Sequence, residues 1–128
     1  MQDIQVIIFD NFCNASRESI KRVEKIVKQD IEIVEGDIRN VEDVTAVFTL
    51  HKIDVAVHFV GLKMIHESVE EPLKYNDNNI NGTIILCEVM QKFSCKSIIF
   101  SSSAMVYGDP KSVPITEAFS AGATNPYG

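Results

Sequence analysis

Four short apolar runs, each followed by a stretch with helical spacing, constrain this chain more than any other feature. Residues 4–9, 31–34, 53–60 and 96–100 are near-continuous hydrophobic and β-branched segments, the composition of strands buried on both faces. Between them, residues 16–28 carry Ile20, Val23, Ile26 and Val27 on one helical face. Asn40-Val41-Glu42-Asp43 resembles a capping box and opens a helix with Val44, Val47 and Phe48 inward. Pro72 suits the first turn of a long helix reaching Met90 or Phe93, and residues 108–128, rich in Pro, Gly and Ser, read as loop. Strands alternating with amphipathic helices predict an α/β domain, doubly wound around a parallel sheet covered on both sides.

At 128 residues the chain is one domain's worth, and 45% hydrophobic with 23% charged residues is an ordinary globular balance. The formal net charge of -6 argues against a nucleic-acid partner, which requires clustered cations. Lys21, Arg22, Lys25 and Lys28 are instead spread along one helix as a solvated face. Cys13, Cys87 and Cys95 form no CxxC pair, and with three scattered histidines they make no metal spacing; a reducing, cytoplasmic compartment is expected. Met1-Gln2-Asp3 lacks the basic start of a signal peptide, and no apolar run is long enough for a membrane span.

In open parallel sheets, ligands collect beyond the carboxyl ends of the strands. Here those ends are Asp10-Asn11, Gly36-Asp37-Ile38, Phe59-Val60-Gly61-Leu62-Lys63 and Ser101-Ser102-Ser103. An acid such as Asp10 can accept hydrogen bonds from an adenosine ribose and repel a 2′-phosphate, favouring NAD over NADP, or can simply cap a helix. Gly61 with Lys63 would let backbone and an ammonium approach a pyrophosphate, or would be a turn glycine beside a solvated lysine. His58, inside an apolar strand, reads as a satisfied core residue. Asn76-Asp77-Asn78-Asn79, with Asn81 and Gly82, are poor helix formers within a helix, so some of them are expected to bind a ligand or bridge to a loop. The serine row, with Tyr107 and Tyr127, contains hydroxyls of the kind that relay a proton from a substrate alcohol.

Taken together, these residues resemble the UDP-glucose 4-epimerases of the extended short-chain dehydrogenase/reductase group. The resemblance is collinear over essentially the whole chain. It runs through Asp10-Asn11-Phe12-Cys13-Asn14, Glu35-Gly36-Asp37-Ile38-Arg39 and His58-Phe59-Val60-Gly61-Leu62-Lys63. It continues through Glu67-Ser68-Val69, Pro72-Leu73-Lys74-Tyr75, Asn79-Ile80-Asn81-Gly82-Thr83, the serine row to Gly108, and Asn125-Pro126-Tyr127-Gly128. It implies that Asp10, Asn11, Phe12, Cys13 and Asn14 surround the adenosine ribose of NAD, with Asp37 and Ile38 at the adenine. Phe59, Val60, Gly61, Leu62 and Lys63 would line the phosphates and the nicotinamide side, and Asn78 would contact the cofactor. Ser103 would hydrogen-bond the 4-hydroxyl of a UDP-sugar and Tyr127 would be the base. Hydride would pass from C4 to NAD and return to the other face after the keto sugar turns over.

The same resemblance marks departures. Val60 replaces a usual alanine, Met105 a small hydroxyl residue, and His66 a small residue. A tyrosine is a poor base at its ordinary pKa of about 10 without an adjacent cation. The family places a lysine four residues after that tyrosine, whereas this sequence ends at Gly128. The family's opening strand and Gly-x-x-Gly-x-x-Gly turn, about 20 residues, also have no counterpart before the first run. That strand lies between the first and third runs in the usual order, so a partial Rossmann-like NAD-binding domain over residues 1–128, without a substrate domain and with little or no epimerisation of its own, is expected. Other readings are a non-catalytic module pairing with an intact epimerase subunit through residues 72–93, the stretch used in homodimer contacts by the family, or part of another NAD-linked sugar-nucleotide enzyme such as a dehydratase.

Overall fold

The computed structural model describes residues 4–128; the leader reading at Met1-Gln2-Asp3 lies outside them. Strand β1 (Ile7–Asp10) is followed by helix α1 (Arg17–Val27), β2 (Glu32–Glu35), α2 (Val41–Leu50) and β3 (Val55–His58). Two short helices, α3 (Ile65–Glu70) and α4 (Pro72–Tyr75), lead into a π-helical turn (Asn76–Asn81) and α5 (Gly82–Lys92). Strand β4 (Ser97–Phe100) and a 3₁₀ turn (Ala104–Tyr107) complete the regular structure.

The α/β class and the parallel pairing agree with expectation, and so does the partial sheet, which is divided into two ribbons. β1 pairs with β2, Ile8 opposite Ile33 and Phe9 opposite Val34. β3 pairs with β4, Ala56 opposite Ile98 and Val57 opposite Ile99. No strand of the described residues joins the two ribbons. The expectation of strands buried on both faces fails. Ala56 packs on the core, whereas Val55 and Val57, on the opposite face of the pleat, are exposed together with Ile99, the partner of Val57. A parallel strand is buried on both faces only where helices cover both.

That core lies where α2 meets α5: Ile38, Val44 and Phe48 pack against Val89, Met90 and Cys95, with Phe9 and Ile53 alongside. Local chemistry sets the helix ends. The Ser16 hydroxyl accepts from the Glu18 N–H at 3.2 Å and Lys28 closes α1 with a left-handed φ of 55°. Asn40 Oδ1 accepts from the N–H groups of Glu42 and Asp43, at 2.9 and 3.3 Å. The reciprocal arm of the expected box is redirected: the Asp43 carboxylate accepts from the Asp37 N–H at 3.0 Å, tying the start of α2 to the loop after β2.

The long helix from Pro72 is not uniform. Its Asn-rich stretch winds as the π turn, and Thr83 Oγ1 donates to the Asn79 carbonyl at 2.6 Å where the α-helical pitch resumes. Helix α3, which the periodicity does not announce, is secured by tertiary bonds: the buried Tyr75 hydroxyl donates to Glu67 Oε2 at 2.8 Å and accepts from the Met64 N–H at 3.0 Å.

Candidate functional site

A cleft of about 100 Å³ opens at the carboxyl ends of β1 and β3. One wall is Phe9, Asp10, Asn11, Cys13 and Asn14; Gly36 and Ile38 come from the loop after β2; Phe59, Val60, Gly61 and Leu62 face them, and Asn78 enters from the π turn. Ten of the residues singled out from sequence therefore share one cavity: Asp10, Asn11, Cys13, Asn14, Ile38, Phe59, Val60, Gly61, Leu62 and Asn78. Phe12, Asp37 and Lys63 stand outside its wall, as do Ser103 and Tyr127. A larger open depression, about 530 Å³, runs along α1 among Lys21, Glu24, Lys25, Lys28, Gln29 and Asp30. Its walls are exposed side chains of mixed charge, so nothing there converges on a ligand.

The turn after β1 is built by its own side chains. Asp10 Oδ1 accepts from the Phe12 N–H at 2.7 Å, and Asn11 Oδ1 from the Cys13 N–H at 3.1 Å. Phe12 adopts a left-handed φ of 54°, costly for an aromatic residue. The Asp10 bond and the Arg17 guanidinium, 4.4 Å from the Phe12 ring centroid, hold it there. Asp10 Oδ2 has no protein partner among the described residues.

Behind the cleft, Asp37 is enclosed by donors. Arg39 gives it Nε at 2.9 Å, a terminal nitrogen at 2.7 Å and its backbone N–H at 2.9 Å, and Asn11 Nδ2 adds a fourth at 3.1 Å. The Arg39 guanidinium, above all, holds the Asp37 carboxyl well below the usual carboxylate range, and Asp37 in turn raises Arg39. Arg39 also reaches Asp77 in the π turn at 3.2 Å.

The π turn meets the opposite wall through Asn79. Its Oδ1 accepts from the Leu62 N–H at 2.8 Å while its Nδ2 donates to the Leu62 carbonyl at 2.9 Å. Asn78, buried, donates its Nδ2 to the same Asn79 oxygen at 2.9 Å. Asn79, Arg39 and Tyr75 are site-shaping residues to which sequence reasoning assigned no individual role. The run of poor helix formers was the signal for Asn79; nothing local announces Arg39 or Tyr75.

His58 is buried, as expected of a core residue, but only half satisfied. Thr83 Oγ1 spends its proton on the Asn79 carbonyl, so the 2.8 Å contact with His58 requires the histidine Nε2 to carry the hydrogen. Nδ1 is then an acceptor without a partner among the described residues, and burial lowers the His58 pKa from its ordinary value.

After β4 the chain turns through Ser102, at φ 54°, into the 3₁₀ turn, which the Ser103 hydroxyl caps by accepting from the Met105 N–H at 3.1 Å. The loop beyond folds back on this turn: the Gly122 N–H donates to the Val106 carbonyl at 2.8 Å. Gly128 lies against the Met105 backbone, and Asn125 Oδ1 accepts from the N–H groups of Tyr127 and Gly128 at 3.1 and 3.0 Å. That is the bonding of a helix N-cap. No hydrogen bond links Ser103 to Tyr127 among the described residues.

The sequence is 49% identical over 124 residues to the UDP-glucose 4-epimerase of Bacillus subtilis, covering 97% of this chain and 37% of that protein. It is 48% identical over 127 residues to the bifunctional UDP-glucose 4-epimerase and UDP-xylose 4-epimerase 1 of Pisum sativum, covering 96% and 36%. The structure is similar to that of the UDP-glucose 4-epimerase from Bifidobacterium longum in complex with NAD+ and UDP, with a TM-score of 0.90 and 46% identity over 96% of this chain and 37% of that one. A second likeness, TM-score 0.88 at 38% identity, is to the Stenotrophomonas maltophila enzyme with bound NAD and a formylated UDP-arabinopyranose, covering 95% and 36%. The chain thus spans a little over a third of the proteins it matches. The profile described as GDP-mannose 4,6 dehydratase aligns with residues 2–128, and with the parallel α/β ribbons and the cleft at their carboxyl ends it shows that the chain belongs to that family.

Proposed function

We propose that this chain supplies the adenosine side of an NAD site, together with Ser103 and Tyr127, to a UDP-glucose 4-epimerase interconverting UDP-glucose and UDP-galactose. The observation that carries this reading is the cleft in which Asp10, Asn11 and Asn14 face Gly61 and Leu62 across the gap between two ribbons. Its donor set fits a dinucleotide. Asp10 has one carboxylate oxygen engaged by Phe12 and the other available to a ribose diol. Ile38 offers an apolar surface to an adenine, and Gly61 allows close backbone approach.

Bound NAD supplies reversible hydride acceptance at the sugar C4. This chain's residues do the rest. Asp10 and Asn11 orient the ribose, Asn78 limits the cleft on the π-turn side, Ser103 hydrogen-bonds the sugar 4-hydroxyl, and Tyr127 takes its proton and gives it back. Tyr127 needs a neighbouring cation for that work. Ser103 and Tyr127 also stand outside the cleft wall. The 128-residue chain by itself is therefore expected to epimerise little or not at all, and the activity belongs to the whole protein. A cytoplasmic place in galactose metabolism accompanies this reading, as does a homodimer formed through residues 72–93, where Leu73, Ile80 and Ile84 are exposed. No helix of the described residues is long and apolar enough to cross a membrane.

The test is titration of the isotope-labelled chain with NAD and with AMP, followed by amide shifts. Perturbations clustered on Asp10, Asn11, Ile38 and Gly61, weakened by Asp10→Ala, are expected. Absence of any cluster at saturating ligand, or turnover of UDP-galactose by the 128-residue chain, would refute the respective half of the reading.

A further inference from the structure

Among the described residues the two walls of the cleft belong to ribbons that share no strand, so contacts that reach both walls help to set their spacing. The π turn touches both. At one end Asp77 binds Arg39, which grips Asp37 behind the β1–β2 wall. Farther along, Asn79 holds Leu62 of the β3 wall at both its N–H and its carbonyl, bonding it as a neighbouring strand would. Gly61 passes close beneath: a Cβ on it would lie 3.6 Å from Asn79 Oδ1.

We propose that Asn79 is a positioning residue for the cleft: by clamping the Leu62 backbone it sets the course of Gly61 and Leu62 against the pyrophosphate side of a bound dinucleotide. The proposal rests on the NAD reading above, and it assigns Asn79 no contact with ligand. Two features favour positioning over mere burial. Both ends of the amide are used on one residue's backbone, and its oxygen is oriented by a second donor, Asn78 Nδ2. Widened π turns also redirect side chains out of helical register, which lets consecutive residues Asn78 and Asn79 serve the cavity and the wall respectively.

The test combines amide hydrogen exchange with titration of the 128-residue chain by NAD and by AMP. In Asn79→Ala the Leu62 amide should lose its protection, exchanging roughly tenfold faster or more, while α5 amides keep theirs. NAD affinity should fall about tenfold, with AMP affinity changing less than about twofold. Asn79→Asp keeps the acceptor but not the donor, so Leu62 should stay protected while NAD binding weakens by about threefold. Unchanged Leu62 exchange in Asn79→Ala would overturn the proposal. So would equal losses for NAD and AMP, wild-type NAD affinity in Asn79→Asp, or loss of protection throughout α5. If the wild-type chain responds to neither ligand, the NAD reading fails and this role falls with it; the Leu62 exchange rate still reports separately whether the clamp exists.

Discussion

Gly82→Ala sets two opposite effects against each other. Gly82 opens α5 with ordinary helical dihedrals, so propensity alone favours alanine there by about 1 kcal/mol. The tertiary environment opposes this. A Cβ at position 82 would lie 2.6 Å from Ile38 Cγ2, about 1 Å inside the optimal carbon–carbon separation. Ile38 cannot easily yield, being buried among Val44, Phe48 and Val89. Overpacking costs about 1–3 kcal/mol, and a 2.6 Å contact on a buried partner that cannot move belongs to the upper part of that range, about 2–3 kcal/mol. The net expectation is destabilisation by about 1–2 kcal/mol, a fall in Tm of about 3–8 °C for a domain of this size. Ile38 also lines the cleft, so AMP binding should weaken as the side chain is displaced. Urea unfolding of four proteins (wild type, Gly82→Ala, Ile38→Ala and the pair) gives the coupling directly. Because the new methyl would occupy space vacated by Ile38, the double variant should be less destabilised than the sum of the singles by about 1 kcal/mol or more. A neutral or stabilising Gly82→Ala, or strict additivity, would refute the packing argument.

Two pH predictions follow from the hydrogen bonds. Asp37, held by Arg39, should titrate well below an ordinary aspartate; the stability it contributes is complete above about pH 4 and is lost as pH falls through its lowered folded-state pKa. Carboxyl-carbon NMR should find its midpoint moved upward in Arg39→Gln; an unshifted midpoint would count against the clasp. His58 should carry its proton on Nε2 and stay neutral below the usual midpoint of about 6.5, its stabilising contribution being complete above that pH and lost as pH drops through its lowered folded-state pKa. Imidazole nitrogen shifts decide this, and an Nδ1–H tautomer would contradict the Thr83 assignment.

How much of the molecule was legible from its sequence depends on the range of the interactions. The strand–helix alternation, the cap at Asn40, and the inward set Val44, Val47 and Phe48 follow from signals that act within one or two turns. Helix α3 escaped such reading because its bonds come from Tyr75, beyond its own end. The acids and glycines at strand ends could be named as a ligand-binding set because topology places carboxyl ends together whatever the intervening residues.

What only the tertiary structure decided is which of those ends meet, and how. Residues at or just beyond the ends of β1, β2 and β3 line one cleft although β1 and β3 do not pair, and this goes with α2 packing on α5 and with the π turn reaching both walls. The sequence by itself determined that Asn76, Asp77, Asn78 and Asn79 are poor material for a helix. It could not distinguish Asn78, which faces the cavity, from Asn79, which holds Leu62. The physical reason is that adjacent side chains of one type have the same local propensity, and only a partner distant in the chain gives them different work.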